Sequence, residues 1–217
     1  MNKYIEELEG FLGLEKGFFS KLQTEDDWSF IVKLHSLIEA TCTSLLTEEL
    51  GRKEIFDAFS QVQVGTPKSG KLAFIKALDL LPAEHIKFIE TLGWVRNRFV
   101  HNISNHQSTL SEFIQSLGKQ RKKECIKYLK MNFSSTAFKG NEISGDEYMV
   151  KEPNIVIIVS SMQVLEFIRM RIAGGIKRQE FIKEKIDEHL EEHGPFILRQ
   201  DEVSLPDITA MDLLENE

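Results

Sequence analysis

The stretch "TEDDWSFIVKLHSLIEATCTSLLTEELG", residues 24 to 51, has no internal glycine or proline and returns apolar residues at helical spacing. A helix of that length must find other helices to cover its apolar side, which points the whole chain towards a bundle. Thr24 with Asp27 three residues on resembles a capping box, and Gly51 suits the stop. Trp28, Val32, His35, Glu39, Cys42 and Leu46 share one face of this helix.

The rest of the chain repeats the pattern. "RKEIFDAFSQVQ" predicts a shorter helix and "VGTPKSG" a loop of turn formers. "KLAFIKALDLL" and "AEHIKFIETLGWVRNRFVHN" read as two helices broken at Pro82, a residue suited to a first helical turn. After the connector "ISNHQS", the segment from Thr109 to Phe133 gives one or two helices around Gly118. "SSTAFKGNEISGDEYMVKEP" lacks periodicity and reads as a loop. From Pro153 a long helical segment runs towards His193, with Gly174-Gly175 as a candidate bend. Its "VIIV" is β-branched enough for a strand but has no partner strands elsewhere. The expectation is an all-α helical bundle with additional C-terminal helices. Residues 1–25 form an N-terminal helix, 26–193 a helical domain with a C-terminal helical extension, and 194–217 an acidic tail.

Charge and cysteine content narrow the function classes. A net charge of −7 argues against a broadly basic nucleic-acid binder, though partners respond to local field as well as to the sum. Cys42 and Cys125 match no metal or redox spacing and read as reduced, buried thiols of a cytosolic protein. The first residues carry glutamates where a signal peptide would be apolar. The most apolar stretch meets Glu166, Arg169 and Arg171 before it reaches spanning length. A soluble cytoplasmic protein with no membrane partner is expected.

The most specific segment is "WVRNRFVHN", residues 94 to 102. Phe88, Leu92, Val95 and Phe99 stack as a core stripe, while Glu90, Trp94, Asn97 and His101 take the opposite side. Asn97 and His101 are neighbours one turn apart, and Arg96 sits between the two faces, free to reach either. A tryptophan beside an amide and an imidazole predicts a cleft wall or an interface. The plainer alternative is a surface helix whose Arg96 is ion-paired and whose His101 helps end it.

Arg96, Asn97 and His101, with the paired-helix stretch before them and "SLIEATCTSLLTEEL" upstream, resemble the HEPN superfamily. The similarity is nearest to its mannitol operon repressor-like branch and covers roughly residues 26 to 102. The resemblance implies a bundle of the HEPN type that forms a homodimer with its Arg-Asn-His helices facing one another. It also implies a metal-independent endoribonuclease of the toxin or abortive-infection defence type, with an antitoxin or regulatory protein as a further partner. The alternative it carries is a non-catalytic regulator acting through protein contacts or transcriptional control. The residue types suit RNA cleavage by the 2′-hydroxyl: histidine moves protons at neutral pH, and arginine holds the crowded phosphate. Asn97 would orient His101 or donate to the phosphate. No cofactor is called for.

Other residues have two readings each. Glu39, with Ser36 in "SLIE", resembles an acidic element of that superfamily; it holds Arg96 or lines the cleft, or it is a stripe-edge carboxylate reaching solvent. His35 reads as a satisfied core histidine. Lys119, Arg121, Lys122, Lys123 and Lys127, with Lys130, form a track for a phosphate backbone or a solvated helix face that can pair with "KEKIDEHLEEHG". His189 and His193 have a metal-ligand spacing but no third ligand, so a solvated helix end is expected there. There is no Walker loop, dinucleotide fingerprint or zinc motif.

Overall fold

The computed structural model describes residues 2–66, 68–101, 108–133, 135–138 and 141–193. The fold is all-α. The chain divides into two compact units, Met1–Lys177 and Arg178–Glu217. The first contains α1 (Asn2–Phe11), α2 (Phe18–Gln23), α3 (Asp27–Leu50), a 3-10 turn (Lys53–Ile55), α4 (Phe56–Ser60), α5 (Lys71–Ala77), α6 (Ala83–Val100), α7 (Leu110–Ser116), α8 (Lys119–Leu129), a β1–β2 hairpin (Ser135–Phe138, Asn141–Ser144) and α9 (Gly145–Lys151). The last helix, α10 (Pro153–His193), begins in this unit, and its residues from Arg178 are the described part of the second.

The central helix is α3, which packs against α2, α4, α5 and α6. Its N-terminus is fastened by Asp26, whose side chain accepts the Ser29 N–H at 2.9 Å. Thr24, the expected cap, instead ends α2. Asp27 is freed from capping: its carboxylate accepts the Leu110 N–H and the Asn154 side-chain amide, tying α3 to α7 and α10. Gly51 ends the helix in the left-handed region at φ 62°, as a terminal glycine does. The buried side is broader than the expected stripe. It includes Phe30, Ile31, Leu34, Ile38 and Leu45, while Trp28, placed on the stripe from its spacing, is 39% exposed.

Two further expectations are corrected. Residues 1–25 hold two helices instead of one. The segment expected to be a loop forms the antiparallel hairpin, paired from Ser135↔Ser144 to Phe138↔Asn141, followed by α9. The Ser144 side chain caps α9 by accepting the Glu147 N–H. By contrast "VIIV" is helical within α10, and Val156, Ile157 and Ile158 are buried there. His85 of α6 meets Phe167 of α10 edge-on at 4.9 Å. The acidic tail, 194–217, lies outside the described residues.

Candidate active site

Helix α6 carries the Arg-Asn-His segment at its C-terminal end. Pro82 is its N-cap, and the Pro82 carbonyl accepts the Ile86 N–H at 3.1 Å. At the other end His101 is the C-cap and donates its backbone N–H to the Asn97 carbonyl at 3.2 Å. Phe88, Leu92, Val95 and Phe99 are all buried, as the stripe required. That fixes the rotation of the helix and leaves Asn97 and His101 exposed.

Arg96 lies half-buried beside the core stripe. Its Nη1 donates to Asn97 Oδ1 at 2.9 Å, which draws the charged tip to the Asn97 side of the helix. Its Nε is buried and has no hydrogen-bond partner among the described residues. Arg96 and Asn97 are therefore in contact, and the exposed His101 follows one turn later as the C-cap.

Behind Arg96, towards α3, is a compact polar cluster. Lys71 is 1% exposed, and its Nζ lies 3.4 Å from Glu39 Oε1. The same oxygen accepts the Val64 N–H at 2.9 Å, and Glu39 Oε2 stands 4.0 Å from His35 Nδ1. Glu39 is thus engaged by Lys71 and by the loop before α5. Burial holds His35 below the ordinary histidine range; Glu39 pulls it back up, while Arg96 and Lys71 push it further down. Gly93 leaves room for this ring, since a Cβ there would stand 3.2 Å from His35 Nε2. No local pattern marks Lys71 as a buried partner of Glu39. Gly65, Gly70 and Lys71 have the spacing of a Walker loop, but Leu72 takes the hydroxyl position and the ammonium is buried against Glu39.

The opposite side of α6 is not an open cleft wall. Helices α7 and α8 pack there, and the Trp94 ring lies 6.3 Å from Phe113 with Arg121 Cζ 4.8 Å above it. A groove of about 360 Å³ remains between α6 and α8, lined by Lys87, Glu90, Trp94, Arg121, Glu124 and Tyr128, among others. The basic track divides around its helix. Arg121 faces the groove and donates to Glu124 at 2.9 Å, and Lys127 Nζ lies 5.0 Å from the centre of the Tyr128 ring. Lys119 and Lys123 are exposed, at helical positions away from Arg121, and Lys122 is half-buried. Lys130 pairs with Asp146 at 3.1 Å.

Cys42 and Cys125 are free and buried, and burial pushes their thiols up to about 12 and about 11. Among the described residues no group of three His, Cys, Asp or Glu side chains could hold a metal, and no helix is long and apolar enough to cross a membrane. The side chains of His189 and His193 lie outside the described residues. No family model matches the chain, and neither a curated protein nor a solved structure matches it.

Proposed function

We propose that the protein is a metal-independent endoribonuclease, with Arg96, Asn97 and His101 at its centre and a second copy completing the site across a two-fold axis. The observation that carries this reading is the contact from Arg96 Nη1 to Asn97 Oδ1 one turn before an exposed His101. A cation, an amide and an imidazole share one accessible corner of α6, where a purely structural helix has no need of them. In the reaction the substrate's 2′-oxygen attacks the adjacent phosphorus while one histidine takes its proton. The bond from phosphorus to the 5′-oxygen breaks, and a second histidine, from the partner copy, protonates the leaving oxygen. Arg96 neutralises charge on the non-bridging phosphate oxygens. The products are a 2′,3′-cyclic phosphate and a 5′-hydroxyl, and the step needs proton transfer and charge neutralisation without a metal.

A second reading is favoured by how the cations are used. Arg96 is tied to its own neighbour, and Arg121 is stacked on Trp94 and paired with Glu124. On this reading the bundle is a non-catalytic regulator that contacts a protein partner, an antitoxin or a transcriptional component, through the same helix end. Incubating purified wild type and His101→Ala with RNA in the presence of chelator separates the two. Cleavage by wild type alone supports the nuclease; intact RNA with a folded, dimeric wild type supports the regulator.

A further inference from the structure

The groove between α6 and α8 gathers aromatic rings and cations that the chemistry at the helix end does not use. Trp94 and Tyr128 both line it; Arg121, also in the lining, stands 4.8 Å over the Trp94 ring, and Lys127, outside the lining, lies 5.0 Å from the Tyr128 ring. Its two carboxylates are already compensated. Glu90 accepts from Lys76 and Lys87, and Glu124 accepts from Arg121 and Gln120. The groove therefore offers aromatic faces in a charge-balanced lining, with one surface guanidinium lying over Trp94, and aromatic faces are what single-stranded nucleic acid uses for stacking. A duplex keeps its bases inside the stack and has little use for such faces. The volume of about 360 Å³ lies at the small end of ligand-sized clefts, which suits a nucleotide. Trp94 also lies on the same side of α6 as His101, seven residues earlier and so roughly 10 Å away along the axis.

We propose that this groove seats a nucleotide flanking the scissile phosphate, so that the substrate is single-stranded RNA. The inference rests on the ribonuclease reading and names its substrate class. A base stacks on Trp94 in the place Arg121 holds, and the guanidinium leaves Glu124, which keeps its bond from Gln120, and turns to a phosphate. Arg121 is suited to the exchange because its side chain is 54% exposed and its pair with Glu124 lies at the surface, where such pairs are weak.

The chain has two tryptophans, so Trp28→Phe leaves Trp94 as the sole tryptophan reporter. Combining it with His101→Ala removes the proton-transfer group, and the RNA survives the titration. The probes are an oligouridylate, the same strand annealed to oligoadenylate, and inorganic polyphosphate. Saturable quenching of Trp94 by the single strand is expected, with the duplex and polyphosphate at least about tenfold weaker. Arg121→Ala, a surface change, should weaken the single strand roughly tenfold. Absent quenching, an equal response to duplex or polyphosphate, or an unaltered Arg121→Ala affinity would overturn the inference. The two failures are distinguishable. Cleavage by wild type without a Trp94 response removes only the groove, whereas a Trp94 response without cleavage by wild type removes the nuclease and the scissile phosphate with it, leaving a groove that only binds single strands.

Discussion

The Arg96 guanidinium, which helical spacing places between the two faces of α6, donates through Nη1 to Asn97 Oδ1 at 2.9 Å and so carries its charge to the side on which His101 ends the helix. Asn97 is a neutral acceptor. It orients Arg96 without cancelling the charge that a phosphate would need.

Asn97→Asp tests that arrangement. A carboxylate at this position pairs with Arg96 and competes with phosphate for it, so RNA cleavage should fall roughly tenfold or more. The pair forms at an exposed site, where it contributes only about 0.2–1 kcal/mol, so the melting temperature should hardly move. Initial rates and a thermal melt check both, and unchanged rates would mean that Arg96 does not act through its free charge.

His35 and His85 give a pH dependence of stability. Burial lowers both below the ordinary histidine value, so each stays neutral in the folded chain at a pH where the unfolded chain takes up a proton. The stability contribution is complete above the unfolded value of about 6.5 and is lost as pH falls from there through the lower folded values. Urea midpoints at about pH 7.5 and about pH 5.5 should differ, and the His35→Gln/His85→Gln variant should show a smaller loss on acidification. An equal loss would place the acid sensitivity elsewhere.

The pair between Lys71 and Glu39 should behave asymmetrically. Glu39→Ala leaves a fully buried ammonium without its carboxylate and should cost about 3 kcal/mol, the low end of the range for breaking a buried pair because Glu39 is partly exposed. Lys71→Met removes the buried charge itself and fills the space with an apolar chain, so it should cost markedly less. Chemical denaturation of the two variants gives the order, and the reverse order would contradict the pairing.

Two helical glycines should respond in opposite directions to alanine. A Cβ added at Gly174 in α10 would have nothing within 4 Å, so Gly174→Ala should stabilise by about 1 kcal/mol from helix propensity alone. At Gly93 the same change brings a methyl to 3.2 Å from the buried His35 ring, and crowding of about 1–3 kcal/mol should outweigh the gain. Thermal melts of the two variants decide it.

What was legible in the sequence follows from the range of the interactions. The stop at Gly51 and the break at Pro82 are set by a few adjacent residues and hold in the structure; "VIIV" is helical as expected, although the hairpin shows that the chain does contain strands. The hairpin at 135–144 escaped because each strand has only four residues, too few for alternation to register. Asp27 looked like a capping residue because its true partners, Leu110 and Asn154, are distant in the chain. The site divides in the same way. The buried stripe of α6 determined which side Asn97 and His101 would take. Periodicity does not say which helix covers a face, so neither the packing of α7 and α8 over Trp94 nor the Lys71–Glu39 contact, 32 residues apart, could be read from it.

On the proposed function, Arg96, Asn97 and His101 cleave RNA through its own 2′-hydroxyl. The most direct measurement is end-group analysis, by mass spectrometry, of a single-stranded RNA incubated with the purified protein and chelator. Wild type should yield fragments ending in 2′,3′-cyclic phosphate and beginning with 5′-hydroxyl, and folded His101→Ala or Arg96→Ala should yield none. Intact RNA, fragments with 5′-phosphate ends, or equal cleavage by His101→Ala would contradict that function.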